Sequence, residues 1–177
     1  MKKTLLISTF AVLAITSIFL FQSGSCPMAC IHKPQKRVYV DMVGDLFHRG
    51  HIALLKKAKT YGDYLIVGVH SDRQVEAYKR LPILTMEERA EVVQACKYVD
   101  RVIVGAPVGI TKELIEENNI HLVIHGDDFD KKTLLEHYRI PIEMGIFKTV
   151  PYTKGISSTN ILERVKSRSL IAENEPQ

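Results

Sequence analysis

Apolar and polar residues alternate in blocks along the chain, and these blocks predict strands separated by helices. The run over residues 64–70 is almost continuously apolar, as expected of a strand buried on both faces. The capping-box spacing of residues 85–88 predicts a helix that ends near residue 97. The predicted strands span residues 37–40, 64–70, 101–104, 121–125 and 146–150, and the predicted helices span residues 51–61, 85–97, 111–118 and 158–167.

Strands that alternate with helices indicate right-handed parallel βαβ units. We therefore predict an α/β fold with a Rossmann-like parallel sheet and helices on both faces. In such sheets ligands bind at the carboxyl ends of the strands, where the strand order reverses, so the turn at residues 41–51 is the expected site. We assign the domain to residues 37–168, after a linker at 26–36 and before a tail at 169–177.

Residues 1–25 are predicted to be a signal peptide or membrane anchor that precedes the fold. Residues 5–21 carry no charge, follow two lysines and precede small residues, and they approach the shortest length that spans a membrane. An uncleaved anchor, a cleaved signal and a lipoprotein that begins at Cys26 all remain open. Basic residues on both sides of the segment leave its orientation undecided by charge.

Composition excludes some classes of function. The 177 residues are 46% hydrophobic and 25% charged, as in an ordinary globular protein, and the net charge of +4 suits a polyphosphate site. No run of basic residues with interleaved aromatics appears, so nucleic acid is not an expected partner. Cys26 and Cys30 have no second cysteine pair and Cys96 stands alone, so no metal site or disulfide framework is predicted.

The first motif with chemical content is His48-Arg49-Gly50-His51, shortly after the first strand. The histidines are three positions apart and share a face if the turn is helical, and the glycine allows a ligand close to the backbone. A helix that starts here offers free N–H groups to phosphate, and two imidazoles can donate hydrogen bonds to phosphoryl oxygens. The motif therefore favours a phosphate site over two surface histidines.

The second motif is Ser157-Ser158-Thr159, which follows Gly155 at the start of the last predicted helix. Successive hydroxyls there suit a helix N-cap and equally suit a second anion-binding turn. Because the first motif already predicts phosphate, we favour the anion-binding interpretation.

Together the two motifs resemble those of the cytidylyltransferase family that activates phosphocholine, phosphoethanolamine and glycerol 3-phosphate. The H-x-G-H of that family is matched by His48 and His51. Its R-T-x-G-I-S-T-T signature is matched by Thr153, Gly155, Ile156, Ser157 and Thr159, with Ser158 as a mild change. The resemblance covers about residues 37–166 and is nearest to the ethanolamine-phosphate and glycerol-3-phosphate branches.

The resemblance implies that a substrate phosphate oxygen attacks the α-phosphorus of CTP and releases pyrophosphate. It implies catalytic roles for His48, His51 and Lys79, and substrate-binding roles for Asp41, Lys79 and Tyr152. The implied nucleotide-binding residues are Val43, Gly44, Asp45, Gly50, Arg89, Asp127, Gly155, Ile156, Ser157, Ser158 and Thr159. Mg²⁺ is expected to be carried on the CTP with few protein ligands, and relatives suggest a homodimer.

One position departs from the family signature, because Tyr152 stands where the family has an arginine. A tyrosine can donate one hydrogen bond but carries no charge, so the missing phosphate contact would have to come from Lys154 or Arg49. We hypothesise that Lys154 supplies it.

Phosphoethanolamine is the favoured acceptor, because residues 62–72 and 125–128 look nearest to that branch. Carboxylates such as Asp41, Asp45 or Asp128 can pair with a primary amine, as in phosphoethanolamine or 2-aminoethylphosphonate. Glycerol 3-phosphate remains open as an acceptor, as does phosphocholine, whose cation suits aromatic side chains. Two different functions also remain open: an adenylyltransferase of the same superfamily, and a non-catalytic, membrane-tethered nucleotide-binding module.

The substrate also bears on location. CTP is abundant in the cytosol, so we expect the catalytic domain to face the cytoplasm, tethered to the membrane by an uncleaved segment at residues 5–21. Export as a signal-peptide protein is the alternative.

Overall fold

The computed structural model describes residues 35–173, and within them strands and helices alternate as predicted. The strands are β1 (Arg37–Met42), β2 (Tyr64–Val69), β3 (Arg101–Val104), β4 (Leu122–Gly126) and β5 (Phe147–Val150). The helices are α1 (Arg49–Lys59), α2 (Asp72–Glu76), α3 (Met86–Gln94), α4 (Lys112–Glu117), α5 (Lys131–Glu143) and α6 (Ser158–Glu173).

The five strands form one parallel sheet in the order β3-β2-β1-β4-β5. The chain moves outward from β1 to β2 and β3, and then returns to place β4 on the other side of β1. The strand order thus reverses between β1 and β4, and all carboxyl ends lie along one edge of the sheet. That edge is where a parallel α/β fold binds ligands.

Helices cover both faces of the sheet, because successive residues of a strand point to opposite sides. On one face, Val38 and Val40 of β1 pack with Leu55 of α1 and Val93 of α3. On the other face, Tyr39 of the same strand belongs to a core cluster that includes residues from α4 and α5. The predicted Rossmann-like α/β architecture is therefore confirmed.

Two helices were not predicted, and each has a physical reason. Helix α2 has only five residues and depends on a capping box at Ser71, too short a stretch to show helical periodicity. Helix α5 begins after its cap at Asp130 and contains Pro141, which interrupts the pattern of a helix interior.

Some boundaries also differ from the prediction. Helix α6 ends at Glu173 rather than at residue 167, so it enters the predicted tail, whose leucine, alanine and glutamate favour helix. The predicted N-terminal segment at residues 1–25 lies outside the described residues. No helix between residues 35 and 173 is both long and apolar enough to cross a membrane.

Candidate active site

A cavity of about 570 Å³ lies at the carboxyl ends of the strands. Its walls come from the turn after β1, the loop before α3, the segment after β4 and the start of α6. The predicted site residues that line it are Asp41, Val43, Asp45, His48, Gly50, His51, Lys79, Tyr152, Ser157 and Ser158. The fold therefore brings both motifs to one cavity, although they are more than 100 residues apart in sequence.

The two histidines of the first motif cap the helix that they begin. Helix α1 starts at Arg49, two residues earlier than predicted, and His48 is its extended N-cap. The Nδ1 atom of His48 accepts the N–H of Gly50 at 3.1 Å, and Nδ1 of His51 accepts the N–H of His48 at 3.2 Å. The imidazole rings stack with their centroids 4.0 Å apart.

These capping contacts determine which ring nitrogen can bind an anion. A nitrogen that accepts an N–H has no proton, so in each neutral ring the proton is on Nε2. Burial, and then the positive charges of His48 and Lys79, lower the pKa of His51 to about 4. Burial also lowers the pKa of His48. At neutral pH the motif thus presents two uncharged N–H donors, as an electrophilic phosphate site requires.

The starts of α1 and α6 meet beside these donors. The Ser158 hydroxyl donates to the carbonyl oxygen of Asp45 at 2.8 Å, and Ile156 lies against the backbone of Gly50. Neither helix has an acidic residue in its first turn, so neither positive dipole end is neutralised. The hydroxyl of Ser157 caps α6, accepting the N–H of Asn160 at 3.1 Å, so its capping interpretation is correct.

Asp45 anchors the loop that carries Lys79. Its carboxylate is 3% exposed and accepts from Arg80 Nη2 at 2.8 Å and from the N–H groups of Ile83 and Leu84 at 3.1 Å each. Burial would raise the pKa of Asp45, but these backbone and guanidinium donors hold it below its ordinary value. Asp45 therefore positions the lysine loop, since its oxygens are engaged by protein groups.

Asp41 lies in a second polar group, on the floor of the cavity. The Tyr138 hydroxyl lies 2.8 Å from both carboxylate oxygens, and His70 Nε2 lies 3.4 Å from Oδ2. Burial opposes the charge of Asp41, but His70 and then Tyr138 keep its pKa below the ordinary value. His70 Nδ1 also faces the carbonyl oxygen of Ala106 at 3.0 Å, so both of its ring nitrogens meet acceptors.

The same contacts act on His70 in the opposite direction. Burial would lower its pKa, but the hydrogen bond and negative charge of Asp41 raise it above the ordinary value. The two side chains thus form a buried, charged pair. Sequence reasoning missed His70 and Tyr138 as site residues, although His70 directly follows β2 at the ligand-binding edge of the sheet. Tyr138 belongs to α5, one of the two helices that were not predicted.

Aromatic and acidic side chains complete this part of the cavity. His125 stacks on Phe129 with ring centroids 4.2 Å apart, and it also contacts Tyr138. The other lining residues include the carboxylates of Asp128 and Glu136. Apolar rings beside carboxylates suit a small cationic group.

Several predicted nucleotide-binding residues lie behind the cavity wall. Arg89 is fully buried and donates to the carbonyl oxygens of Val43, His70 and Leu84 and to the carboxylate of Asp72. Its donors are used within the protein, so it positions the cavity wall and does not reach the cavity itself.

The other predicted nucleotide-binding residues that do not line the main cavity are Gly44, Asp127, Gly155, Ile156 and Thr159. Gly44 adopts a φ of 73°, and Asp127 accepts the N–H of Tyr152 at 2.8 Å. Gly155 and Ile156 line a smaller neighbouring hollow of about 400 Å³, and Thr159 is exposed on α6. Tyr152 itself is 43% exposed, lines the main cavity and donates its hydroxyl to the Ile156 carbonyl oxygen at 3.3 Å.

The sequence is similar to those of known proteins. A model of the Cytidylyltransferase-like family matches residues 44–164. The ethanolamine-phosphate cytidylyltransferase of Dictyostelium discoideum is 42% identical over 151 residues, which cover 82% of this chain and 41% of that protein. Human choline-phosphate cytidylyltransferase A is 38% identical over 132 residues, 73% of this chain and 36% of that protein. The chain thus spans about two fifths of the length of these relatives.

Solved structures agree on the fold. The lipopolysaccharide core biosynthesis protein of Thermoplasma volcanium aligns with a TM-score of 0.56 and 30% identity, over 69% of this chain and 99% of that chain. Pantothenate synthetase from Thermus thermophilus, at 19% identity and a TM-score of 0.50 over 71% of this chain and 61% of that chain, shares the fold alone. The match of the family model over residues 44–164, more than half of the chain, establishes that the chain belongs to the cytidylyltransferase-like family.

Proposed function

We propose that the protein transfers CMP from CTP to a small phosphorylated alcohol, with phosphoethanolamine as the favoured acceptor. An acceptor phosphate oxygen forms a bond to the α-phosphorus, the bond from that phosphorus to the bridging oxygen breaks, and pyrophosphate leaves. The observation that carries this proposal is the pair of neutral Nε2 donors on His48 and His51, at the meeting point of two helix N-termini.

The residues of the cavity divide the work of such a reaction. His48 and His51 donate hydrogen bonds to the phosphoryl oxygens as negative charge builds on them. Lys79 lies in the same cavity and brings a positive charge to the acceptor phosphate and the nucleotide. No residue needs to form a covalent bond, because positioning and charge neutralisation lower the barrier of an in-line transfer.

The floor of the cavity supports an acceptor that carries an amine. Asp128 and Glu136 line it with carboxylates, which attract an ammonium group, a group that glycerol 3-phosphate lacks. Phosphoethanolamine is therefore the favoured acceptor, and 2-aminoethylphosphonate, which carries the same amine, is an alternative. Phosphocholine is the second candidate, because Tyr78, Phe129 and Tyr138 line the same region and suit a quaternary ammonium.

Magnesium belongs to the proposal as an ion carried on the triphosphate, where it would reduce the negative charge. The lining carboxylates of Asp41 and Asp45 already accept hydrogen bonds from the protein and are nearly fully buried. No group of three or more His, Cys, Asp or Glu side chains within residues 35–173 is arranged to hold a metal. Phosphate oxygens and water are therefore the ligands that suit the ion here.

The location and assembly are proposals as well. The catalytic domain faces the cytoplasm, where CTP is available, and residues 5–21 tether it to the membrane as an uncleaved anchor. Protease protection in sealed vesicles tests this placement, and digestion only from the outside would contradict it. A homodimer is the proposed assembly, which sedimentation of the purified chain would test.

The acceptor and the nucleotide are tested together by measuring pyrophosphate release from the full-length chain. CTP is assayed with Mg²⁺ and with phosphoethanolamine, 2-aminoethylphosphonate, phosphocholine or glycerol 3-phosphate. We expect the highest kcat/KM with phosphoethanolamine, and a loss of about 100-fold or more in kcat for His48→Ala, which removes a transition-state donor. His121→Ala, a histidine outside the cavity, is the matched control.

Two results would contradict the proposal. Pyrophosphate release with ATP but not with CTP would indicate an adenylyltransferase. Tight CTP binding without release of pyrophosphate from any acceptor would indicate a non-catalytic nucleotide-binding module.

A further inference from the structure

Three arginines border the place where α1, α6 and the lysine loop meet, and two of them are engaged within the protein. Arg89 is fully buried and donates to four acceptors. Arg80 pairs with Asp45 and donates to the carbonyl oxygen of Leu81. Arg49 is exposed, and its guanidinium has no hydrogen-bond or ion-pair acceptor among residues 35–173.

Arg49 also lies against the second motif. It is the first residue of α1, between the two histidines, and its Nη2 is 3.7 Å from where a β-carbon on Gly155 would be. Gly155 has a φ of 82°, a conformation that side chains rarely adopt, so the space beside its backbone stays open for the guanidinium. The unpaired guanidinium of Arg49 thus lies just before the start of α6, beside Gly155, which is two residues before Ser157.

Apart from the exposed Lys154, the other groups at the start of α6 provide little positive charge. The two histidines are neutral at physiological pH, and the Tyr152 hydroxyl donates to the Ile156 carbonyl oxygen. Lys154 is exposed and forms no hydrogen bond or ion pair with the described part of the chain. Lys79 is the cation that lines the cavity, in the loop held by Asp45. A polyphosphate that extends from the neutral donors of the cavity toward α6 would therefore reach the free guanidinium of Arg49, which lies beside Gly155 and outside the cavity lining itself.

We propose that Arg49 binds the terminal phosphates of the nucleotide. This inference rests on the proposed function, and it gives Arg49 the role that the sequence suggested for Lys154. A guanidinium presents two parallel N–H groups to phosphate oxygens, and such charged hydrogen bonds are among the strongest that side chains form. The positive ends of α1 and α6 act on the same phosphates, so Arg49 adds charge where the dipoles already favour an anion.

Calorimetric binding of CTP, CMP and pyrophosphate to the full-length chain tests this role. We expect Arg49→Ala to weaken the binding of CTP and of pyrophosphate by about tenfold or more, the usual size of a charged hydrogen bond, and that of CMP less than about twofold. Arg49→Lys should recover part of the affinity, because it restores the charge but not the paired N–H groups.

Two matched variants separate this role from a general loss of positive charge. Arg164→Ala removes an exposed arginine of α6 on the neighbouring hollow, and Lys154→Ala removes the lysine next to Gly155. Arg164→Ala should bind CTP as the wild type does, and Lys154→Ala should lose less affinity for CTP than Arg49→Ala. A larger effect from Lys154→Ala than from Arg49→Ala would overturn the inference, as would equal losses for CMP and CTP in Arg49→Ala.

The pyrophosphate measurement distinguishes failure of this inference from failure of the proposed function. If the wild type binds pyrophosphate in an Arg49-dependent manner but does not bind CTP, the proposed function fails and the role of Arg49 stands. If CTP supports turnover and Arg49→Ala binds pyrophosphate as tightly as the wild type, the inference fails alone.

Discussion

The two motif histidines owe their tautomer to the backbone groups that they cap. Each Nδ1 accepts an N–H, so the free donor is Nε2, and burial beside other positive charges keeps His51 neutral. A neutral ring donates a hydrogen bond to phosphate through Nε2. Once an anion is bound, its negative charge makes protonation of the ring more favourable. Protonation of His51 should therefore depend on whether the site is occupied.

We predict that His51 in the free protein titrates near pH 4 and that bound CTP raises this pKa, because phosphate charge favours imidazolium. The pKa of the folded state lies below the ordinary 6.5, so the neutral ring contributes stability that is complete above about pH 6.5. That contribution is lost as the pH falls from about 6.5 toward 4. Histidine NMR titrations with and without CTP measure the shift.

Lys79→Met provides the internal check, because it removes one of the charges that lower the pKa of His51. The pKa of His51 should rise in this variant, and only in part, since burial is the larger cause. An unperturbed His51 near pH 6.5 in the free wild type would show that its ring is open to solvent rather than buried.

At the level of whole elements, Arg89 of α3 connects parts of the chain that are distant in sequence. Its guanidinium holds the turn after β1 through Val43, the end of β2 through His70, and α2 through Asp72. These are the segments that form the wall behind the phosphate site. The family resemblance assigns Arg89 to nucleotide binding. In the structure it acts from within the core, by holding these segments in place.

We predict that Arg89→Ala lowers the free energy of unfolding by about 3–5 kcal/mol, as expected when one partner of a buried, charged network is removed. The physical reason is that three carbonyl oxygens and a carboxylate lose their donor, and the contact with the His70 carbonyl oxygen is fully buried. Urea unfolding followed by circular dichroism measures the change.

Arg73→Ala is the matched control for Arg89→Ala. Arg73 is an exposed arginine of α2, so its removal should change the free energy of unfolding by less than about 0.5 kcal/mol. If Arg89→Ala unfolded at the same urea concentration as Arg73→Ala, the proposed role of Arg89 in positioning the wall would be wrong.

At the scale of the whole molecule, the strand order determines which parts of the sheet a bound ligand can stabilise against unfolding. The order β3-β2-β1-β4-β5 places the first motif beside the segment that leads into α6, so we expect a nucleotide bound there to contact both halves of the sheet. We predict that Mg-CTP at about 100 times its dissociation constant adds about 2.7 kcal/mol to the free energy of unfolding. For a domain of this size the melting temperature should then rise by roughly 5–10 °C.

Thermal unfolding at matched concentrations of CTP, CMP and ATP checks this prediction. CMP should give a smaller shift, because it lacks the phosphates that reach α6. An equal shift with ATP would argue against selection of the cytosine base and favour an adenylyltransferase.

Local pattern was sufficient to predict most of the fold. Alternating apolar blocks indicated parallel βαβ units, and the strand at Arg101–Val104 agrees with its prediction at both ends. The placement of His48 and His51 after the first strand, and of Ser157 before the last helix, also followed from sequence, because these motifs depend on neighbouring residues and on strand polarity. Helices α2 and α5 did not follow, since a five-residue helix and an internal proline obscure periodicity.

Sequence by itself therefore determined the fold class, and it predicted that the two motifs meet at the carboxyl edge of the sheet. Tertiary structure alone decided which side chains are free to act. It brings the Tyr138 hydroxyl to the Asp41 carboxylate, 97 positions away in sequence, and it buries Arg89 fully. It also leaves the Arg49 guanidinium beside Gly155. The physical reason is that such pairings depend on strand order and on competition among buried donors and acceptors, which local periodicity does not record.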